Sequence, residues 1–371
     1  MKQQNILIIG GGIGGLTAAI ALGKYDHKLT VIERDPEWSV YGVGIIQQSN
    51  VVRAMQQLGI LDDYLDVGYG YDGIEVYIPT GERVAQIPSP KLVEGKPANV
   101  GIGRPALHKV LGDRAKAAGA EIRLGVVADT IEELGDQVEV SFSDGKQEHF
   151  DLVIAADGVY SSTRKMYFPE AAKPEFTGQS VWRYNFQRPE DVTCLHAYEG
   201  RIGLGLVPLS DELMYMYVTT PEPDRDDYPI DGIATAMREK VPKTAPRIAE
   251  LAEQIIDDAG VVYRPMDGMF VDTAWHKGRV VMLGDAVHAT TPHLGQGAGM
   301  AIEDAIVLAE EIDRADTATD AFTTYQSRRH DRCKYIVNAS LAICRGQLGL
   351  APAPDQATAS MEMFQETAKP I

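Results

Sequence analysis

The sequence is poor in cysteine. It holds three cysteines in 371 residues, Cys194, Cys333 and Cys344, and no C-x-x-C pair. This spacing excludes a disulfide framework and gives no pattern typical of a metal site, so no metal ligand is predicted. A reducing compartment, and hence a cytoplasmic location, is the expectation.

Positive charge is also scarce. Lysine and arginine number 35 against 53 aspartates and glutamates, which gives a formal net charge of −18. Nucleic acid would be repelled by such a chain, so it is excluded as the expected partner.

Long hydrophobic runs are missing. The apolar run that begins at Ile6 is interrupted by glycines before it could span a membrane. The N-terminal segment has no basic region followed by an apolar stretch and a cleavage site, so no secretory signal is expected. With 44% hydrophobic residues, the chain is predicted to be a soluble α/β protein of two domains, without a membrane partner.

The N-terminal stretch carries the clearest motif. An apolar strand over 5–9 leads into Gly10, Gly12 and Gly15 in G-x-G-x-x-G spacing, then a helical pattern and a second strand that ends on Glu33. The glycines suit a tight turn, close approach to a pyrophosphate and close packing of helix on strand, and the acid suits a ribose. A dinucleotide site is predicted, and the motif leaves NAD and FAD both open.

Two further buried strands end on acidic residues. The strand over 150–156 is followed by Asp157 and Gly158, and a later strand is followed by Gly284 and Asp285. Ligands of α/β proteins bind at the carboxyl ends of parallel strands. Both acids are therefore candidate ligand contacts.

Two local features also point to a ligand. Arg104 stands at the start of a predicted helix, where the helix dipole disfavours a cation, so it is expected to face an anion. Gly42 and Gly44 lie close together before another helix and could let backbone pass near a flat ligand. An ordinary surface arginine and a plain loop are the alternatives.

From about residue 175 the pattern changes. Alternating strands over 180–186, 202–206 and 213–218 predict an antiparallel sheet. A helical piece over 230–256 follows, and residues 261–275 are expected to return to the first domain. A last long helix is predicted over 320–344.

The glycine turn with Glu33, the segment Asp151 to Arg164 and the segment Gly278 to Asp304 together resemble the class A FAD-dependent monooxygenases, the aromatic hydroxylases of the 4-hydroxybenzoate and salicylate hydroxylase type. The resemblance extends to about residue 345. It implies an α/β fold with a Rossmann-like FAD-binding domain, an inserted antiparallel-sheet substrate domain and C-terminal helices. The implied boundaries are 1–70, 98–175 and 261–345 for the FAD-binding domain, 71–97 and 176–260 for the substrate domain, and 346–371 for an irregular tail.

The resemblance assigns cofactor-binding residues position by position. The predicted contacts to FAD or the nicotinamide nucleotide are Gly10, Gly12, Ile13, Gly14, Gly15, Glu33, Arg34, Gly44, Arg104, Asp157, Gly158, Gly284, Asp285, Gly295, Gly297, Ala298 and Gly299. Arg34 is the candidate for the phosphates of the nicotinamide nucleotide.

The implied chemistry is hydroxylation of a small aromatic or N-heteroaromatic compound. NADH or NADPH reduces FAD and then leaves, and the reduced flavin reacts with O2 to form a C4a-hydroperoxide that transfers a hydroxyl group. The partners are thus the aromatic substrate and O2. A homodimer is the expected assembly, although the sequence leaves the oligomeric state open.

The resemblance also gives substrate-side candidates, namely His293, Tyr215, Arg183 and Arg201. Tyr217 shares a strand face with Tyr215. His293 follows Pro292 as in salicylate-type relatives, whereas urate hydroxylases carry an acid there, which argues against urate. Whether His293 acts as a base or through its backbone stays open.

The sequence does not exclude several other activities. They include a urate-type hydroxylase, an oxidative decarboxylase, a reductase, an NAD-dependent dehydrogenase and a nucleotide-binding regulatory protein. A halogenase is disfavoured, because Trp38, Trp182 and Trp275 do not form a W-x-W-x-I-P motif.

Overall fold

The computed structural model describes residues 1, 3–40, 42–225 and 227–371. Its strands, numbered in chain order, are β1 Asn5–Ile9, β2 Lys28–Glu33, β3 Gly44–Gln47, β4 Gly68–Tyr71, β5 Gly73–Tyr77, β6 Arg83–Pro88, β7 Asn99–Gly103, β8 Glu121–Leu124, β9 Ala128–Leu134, β10 Gln137–Phe142, β11 Gln147–Phe150, β12 Leu152–Ala155, β13 Glu175–Gln187, β14 Leu195–Tyr198, β15 Leu204–Pro208, β16 Leu213–Pro221, β17 Val262–Gly268, β18 His276–Lys277 and β19 Val280–Met282. Its helices are α1 Ile13–Leu22, α2 Ser49–Leu58, α3 Leu61–Asp66, α4 Arg104–Ala117, α5 Ser162–Tyr167, α6 Ile233–Lys240, α7 Pro246–Ala252, α8 Asp285–His288, α9 Gly297–Arg314, α10 Ala318–Gln347 and α11 Gln356–Ala368.

A six-stranded sheet forms the centre of the nucleotide-binding part. Its order is β18-β19-β12-β1-β2-β8, and β1 pairs in parallel with both β12 and β2. The apolar residues of β1 are buried, as expected for a strand covered on both faces. The carboxyl ends of β1, β12 and β19 therefore meet, which brings together the three motifs that follow these strands.

Helices α1, α4, α9 and α10 contribute buried apolar residues to the main core on one face of this sheet. The other face, with Leu7 and Ile9, packs on a three-stranded sheet of order β11-β10-β9. Strands β10 and β11 of this sheet form an antiparallel hairpin, in which Val138 pairs with Phe150.

A seven-stranded sheet has the order β17-β13-β16-β15-β14-β5-β6. One face packs on α6 and α7 through residues such as Trp182, Met216 and Met237. The alternation of side chains leaves the other face free to form a wall of the cavity described below. The predicted antiparallel strands are thus present as β13, β16, β15 and β14, although β15 begins at Leu204 rather than near Ile202.

Two predictions about the later chain are wrong. Residues 262–268 do not return to the first domain, because β17 pairs with β13, with Tyr263 opposite Trp182. The tail is not irregular throughout, because α11 forms, and Asp355 caps it by accepting from the backbone N–H of Thr358. The division into two domains at the stated boundaries stays a prediction.

Candidate active site

A cavity of about 660 Å³ lies between the glycine turn and the seven-stranded sheet. Its walls come from the turn after β1, the end of β2, the start of α4, the turn after β19, the loop before α9, the open face of the large sheet and α11. A cavity that connects several strand ends with a separate sheet is suited to a long ligand and a second, small one.

The three glycines of the first turn have different surroundings. A Cβ atom at Gly10, where φ is +111°, would overlap the carbonyl oxygen of Ala156, and one at Gly15 would overlap the carbonyl oxygen of Gly10. A Cβ atom at Gly12 would meet nothing within 4 Å. Gly10 and Gly15 therefore serve the packing of the turn, whereas Gly12 borders the cavity together with Ile13 and Gly14.

Glu33 lies at the cavity edge at the end of β2. Its carboxylate accepts hydrogen bonds from the backbone N–H groups of Gly11 at 2.9 Å and Asp35 at 3.0 Å. These bonds fix the acid beside the glycine turn, where a ribose would be recognised. Arg34 is exposed and does not line the cavity, so its contact to a nicotinamide nucleotide stays a prediction.

Arg104 starts α4 and extends into the cavity, as the sequence predicts. Gly42, with φ +119°, lies against it, and a Cβ there would lie 2.6 Å from Arg104 Cδ. Gly44 also lines the cavity, but the ring of Tyr215 covers its open side, since a Cβ would lie 2.7 Å from Tyr215 Cδ1. Gly44 thus makes room for the tyrosine.

Asp157 has a different role from the one predicted. Its carboxylate accepts from Ser161 Oγ at 2.5 Å and from the backbone N–H of Thr163 at 3.0 Å, and it does not line the cavity. Gly158, with φ +78°, does line it. The buried Arg164 donates to the carbonyl oxygens of Val159 and Ala286. The Asp-Gly motif therefore holds a turn whose glycine faces the cavity.

The turn after β19 and the loop before α9 form the next wall. Gly284, Asp285, Gly295, Gly297 and Ala298 line the cavity. Helix α9 begins at Gly297, so its unpaired N–H groups and positive dipole end lie at this wall. Gly299 is buried and does not line the cavity, because its missing side chain makes room for Gln296 and Val51.

A buried ionic network supports this wall from behind, and sequence reasoning missed it. Asp304 accepts from His288 Nε2 at 2.6 Å and from Arg329 Nε at 2.8 Å, and Arg329 also pairs with Glu303 at 2.8 Å. Although burial opposes ionisation, His288 and Arg329 lower the pKa of Asp304 to about 2. The network connects α8, α9 and α10 behind the predicted flavin loop.

Arg183 and the tyrosine pair Tyr215 and Tyr217 line the sheet side of the cavity. Arg183 lies opposite Tyr217 on the neighbouring strand, and Gly205 leaves the space that the ring of Tyr217 fills. Burial, together with the nearby Arg104 and Arg264, lowers the pKa of Arg183 to about 10, so its guanidinium is still a cation at neutral pH. Among the described residues nothing forms a hydrogen bond or an ion pair with its side chain.

His293 also lines the cavity, from the loop before α9. Its Nε2 lies 3.1 Å from Gln347 Oε1 and its Nδ1 lies 2.9 Å from Thr291 Oγ1. An amide oxygen only accepts, so Nε2 carries the proton and Nδ1 accepts from the threonine. Burial lowers the pKa of His293 to about 4. The ring is thus neutral and held on both sides, which makes it a poor base at neutral pH.

Arg201 is the predicted substrate contact that the structure places outside the cavity. It is exposed before β15 and does not line the cavity. Sequence reasoning also missed Gln347, Arg264 and Met363, which do line it. Their positions depend on contacts between segments far apart in the chain, and no local motif marks them.

In the part of the chain that the structure describes, no helix combines the length and the apolar character needed to cross a bilayer.

Comparison with known proteins gives the family. A family model described as an FAD binding domain matches residues 3–340. The Bacillus subtilis (strain 168) protein YetM, whose name describes an FAD-dependent monooxygenase, is 30% identical over 362 residues, which cover 95% of this chain and 96% of YetM. A 2-heptyl-3-hydroxy-4(1H)-quinolone synthase of Pseudomonas aeruginosa is 31% identical over 360 residues, covering 95% and 91%.

A solved structure agrees with these matches. The crystal structure of Klebsiella pneumoniae HpxO complexed with FAD and uric acid superposes with a TM-score of 0.81 at 25% identity, covering 98% of this chain and 92% of that one. The predicted fold class, the FAD cofactor and the enzyme class are therefore confirmed. The chain belongs to the FAD-binding-domain family and is a flavin-dependent monooxygenase of the aromatic hydroxylase type.

Proposed function

We propose that the substrate is a small, flat aromatic or N-heteroaromatic compound with an ionised oxygen or nitrogen, which this chain hydroxylates with FAD, O2 and NADH or NADPH. The observation that carries the proposal is Arg183, a cation without a protein partner among the described residues, on the cavity wall beside Tyr215. A half-buried cation without a protein partner stabilises an anionic ligand.

The residues present fit FAD. One cavity is lined by the open side of Gly12, by Glu33, by Arg104 and by Asp285. The N-terminus of α9 at Gly297 would face the flavin ring, where it would favour negative charge. Bound FAD supplies the electron transfer from the nicotinamide nucleotide and the reaction with oxygen, and the protein supplies orientation and a dry site.

Arg183 would hold the ionised group of the substrate. An ionised phenol or its aza-analogue makes the ring electron-rich, which suits it to accept an electrophilic oxygen. Tyr215 and Tyr217 would cover one face of the flat ring, since both rings lie on the cavity side of the sheet. The small aromatic substrate and O2 are thus the proposed partners.

His293 would position the loop and offer its ring edge to the substrate rather than remove a proton. The pKa of about 4 and the two hydrogen bonds support this role. A cytoplasmic location belongs to the same proposal, and the three unpaired, buried cysteines support it.

The direct test is NAD(P)H oxidation by the FAD-loaded protein against hydroxybenzoates, hydroxypyridines, 4-quinolones and urate, with mass analysis of the products. One class should stimulate oxidation and gain one oxygen atom. Stimulated oxidation that yields only peroxide with every compound would contradict the proposed substrate class. Product from urate alone would show that the Pro292–His293 pair does not exclude that substrate.

Arg183→Gln tests the assignment of the anion contact. Removing the cation should raise KM for the productive substrate about tenfold to a hundredfold, because a charge-assisted contact contributes about 1.5–3 kcal/mol. Flavin content should not change. The matched control is Arg201→Gln, which removes an exposed arginine outside the cavity and should leave KM unchanged. An equal rise of KM in both variants would contradict the proposal that Arg183 binds the ionised group of the substrate.

A further inference from the structure

Three side chains of metal-binding type meet on the seven-stranded sheet, away from the flavin. They are Glu75 of β5, and Cys194 and His196 at β14, and their ligand atoms lie within 4.8 Å of one another. Glu75 lies directly opposite His196 in the parallel pair of β5 and β14. Ile74 and Leu195 line the cavity, so the alternation of side chains points Glu75 and His196 to the opposite face.

His196 lacks the contacts that a buried histidine normally makes. Its side chain is 1% exposed, and neither ring nitrogen has a hydrogen-bond partner among the described residues. Buried polar atoms are usually satisfied, and an unsatisfied one calls for an explanation. Its Nε2 lies 3.4 Å from Glu75 Oε2 without the geometry of a hydrogen bond.

The spacing of these atoms suits a tetrahedral ion. Zinc binds histidine nitrogen at about 2.0–2.1 Å and carboxylate oxygen at about 2.0–2.2 Å, which places two such ligands about 3.4 Å apart. The observed separation of Nε2 and Oε2 is 3.4 Å. The sulfur of Cys194 lies within 4.8 Å of both atoms, so a small side-chain movement would complete the set.

Two neighbouring side chains orient the carboxylate of Glu75. Tyr77 Oη donates to Glu75 Oε2 at 2.6 Å, and Arg83 donates to Oε1 at 2.6 Å, so the carboxylate is oriented from outside the cluster. A bound metal would displace the thiol proton of Cys194 into solvent.

We propose that Glu75, Cys194 and His196 form a zinc site that joins β5 to β14 behind the substrate-facing wall. One sulfur, one nitrogen and one carboxylate oxygen are the donor set that Zn²⁺ accepts, and a water would fill the fourth position. The ion would fix strand β5, which enters the large sheet from a distant part of the chain. The site is separate from the flavin chemistry, because the sheet lies between them.

The other cluster of metal-ligand types is a weaker candidate. His288, Asp304 and Cys333 lie close together, but Asp304 already binds His288 and Arg329. In that cluster the imidazole Nε2 and the carboxylate already bind each other at 2.6 Å, whereas both ring nitrogens of His196 lack a partner among the described residues.

The test is zinc binding by the full-length, FAD-loaded protein. The protein is freed of metal with a chelator and dialysed against micromolar ZnCl₂, and bound zinc is then measured by plasma mass spectrometry. We expect about one zinc per chain and an X-ray absorption spectrum with one sulfur neighbour at about 2.3 Å. Cys194→Ser and His196→Gln should each weaken zinc binding at least about tenfold.

Cys344→Ser is the matched control, because this cysteine is also buried and lies outside the cluster. It should bind zinc as the unsubstituted chain does. Absence of zinc from the unsubstituted chain would overturn the proposal, as would binding that survives both Cys194→Ser and His196→Gln. Loss of zinc on Cys333→Ser alone would assign the ion to the other cluster. If Cys194→Ser fails to fold, two other measurements test the site. Glu75→Gln should weaken zinc binding, and the X-ray absorption spectrum of the unsubstituted chain should show the sulfur neighbour.

Discussion

At the scale of single residues, the glycines of the first turn differ in what an added side chain would contact. Gly12 has extended backbone with φ −85°, and a Cβ atom there would meet no protein atom within 4 Å. At Gly15 the added atom would overlap the backbone of Gly10. We therefore expect Gly12 to matter to cofactor binding and Gly15 to matter to the fold.

Gly12→Ala should lower FAD affinity strongly while changing the free energy of unfolding of the flavin-free protein by about 1 kcal/mol or less. The added methyl group occupies space that the pyrophosphate needs. FAD titration by fluorescence and urea unfolding measure the two effects. Gly15→Ala is the comparison and should destabilise the flavin-free protein by several kcal/mol through backbone overlap. Normal FAD binding by Gly12→Ala would contradict the placement of the cofactor.

His293 gives a pH dependence of stability. Its pKa in the folded chain is about 4 against an ordinary value of 6.5, so the unfolded chain takes up a proton first as the pH falls. The contribution of His293 is therefore complete above pH 6.5 and is lost as the pH falls to about 4, by at most about 3 kcal/mol. His293→Gln should flatten this part of the profile of unfolding free energy in urea. An unchanged slope between pH 6.5 and 4 would show that His293 is not buried as described.

At the scale of elements, the sequence predicts the structures that depend on neighbouring residues, but not the strand pairings that depend on distant ones. The β1–α1–β2 unit, Arg104 at the start of α4 and the strand over 213–218 follow from periodicity and turn residues that lie close together in sequence. The pairing of β17 with β13 could not be predicted, because it depends on Tyr263 meeting Trp182 some eighty residues earlier. The exposure of Arg201 could not be predicted either, because the sequence marks the start of β15 poorly.

Helix α11 was missed for a similar reason. Pro352 and Pro354 precede it and suggest an irregular tail. The helix forms because Met363 and Phe364 pack with Leu294 and Ile343, and because its last carbonyl groups accept hydrogen bonds from Arg53. Its residues Ala357, Ser360 and Met363 then close one side of the cavity.

A chain that ends after Gly349 should bind FAD but hydroxylate less efficiently. Loss of α11 opens the cavity to water, and exclusion of water is what protects reactive intermediates. The ratio of product formed to NAD(P)H consumed should fall by at least about half, with peroxide making up the difference. A chain that ends after Ala368 keeps the helix and is the control. Equal coupling in both shortened chains would contradict a role for α11 in closing the site.

At the scale of the whole molecule, the net charge of −18 affects the encounter with the nicotinamide nucleotide. Both partners are anions, and salt screens their repulsion, with a Debye length of about 10 Å at 0.1 M. Arg34, exposed beside the glycine turn, is the local charge that would oppose this effect.

The second-order rate of flavin reduction by NADH should therefore rise several-fold between low and physiological ionic strength. Anaerobic stopped-flow absorbance of the flavin measures it directly. A rate that falls with salt would show that a local cationic patch dominates the encounter, and Arg34→Gln would then test whether that patch includes Arg34.

The pairing of β5 with β14 has a consequence for how the protein is made. Strand β5 leaves the ribosome early but receives its parallel neighbour only when residues 195–198 have been synthesised. During that interval only β6 covers β5, and its other edge stays open to strands of other chains. We therefore expect synthesis of this sheet to include an aggregation-sensitive period, which ends for β5 when β14 pairs with it.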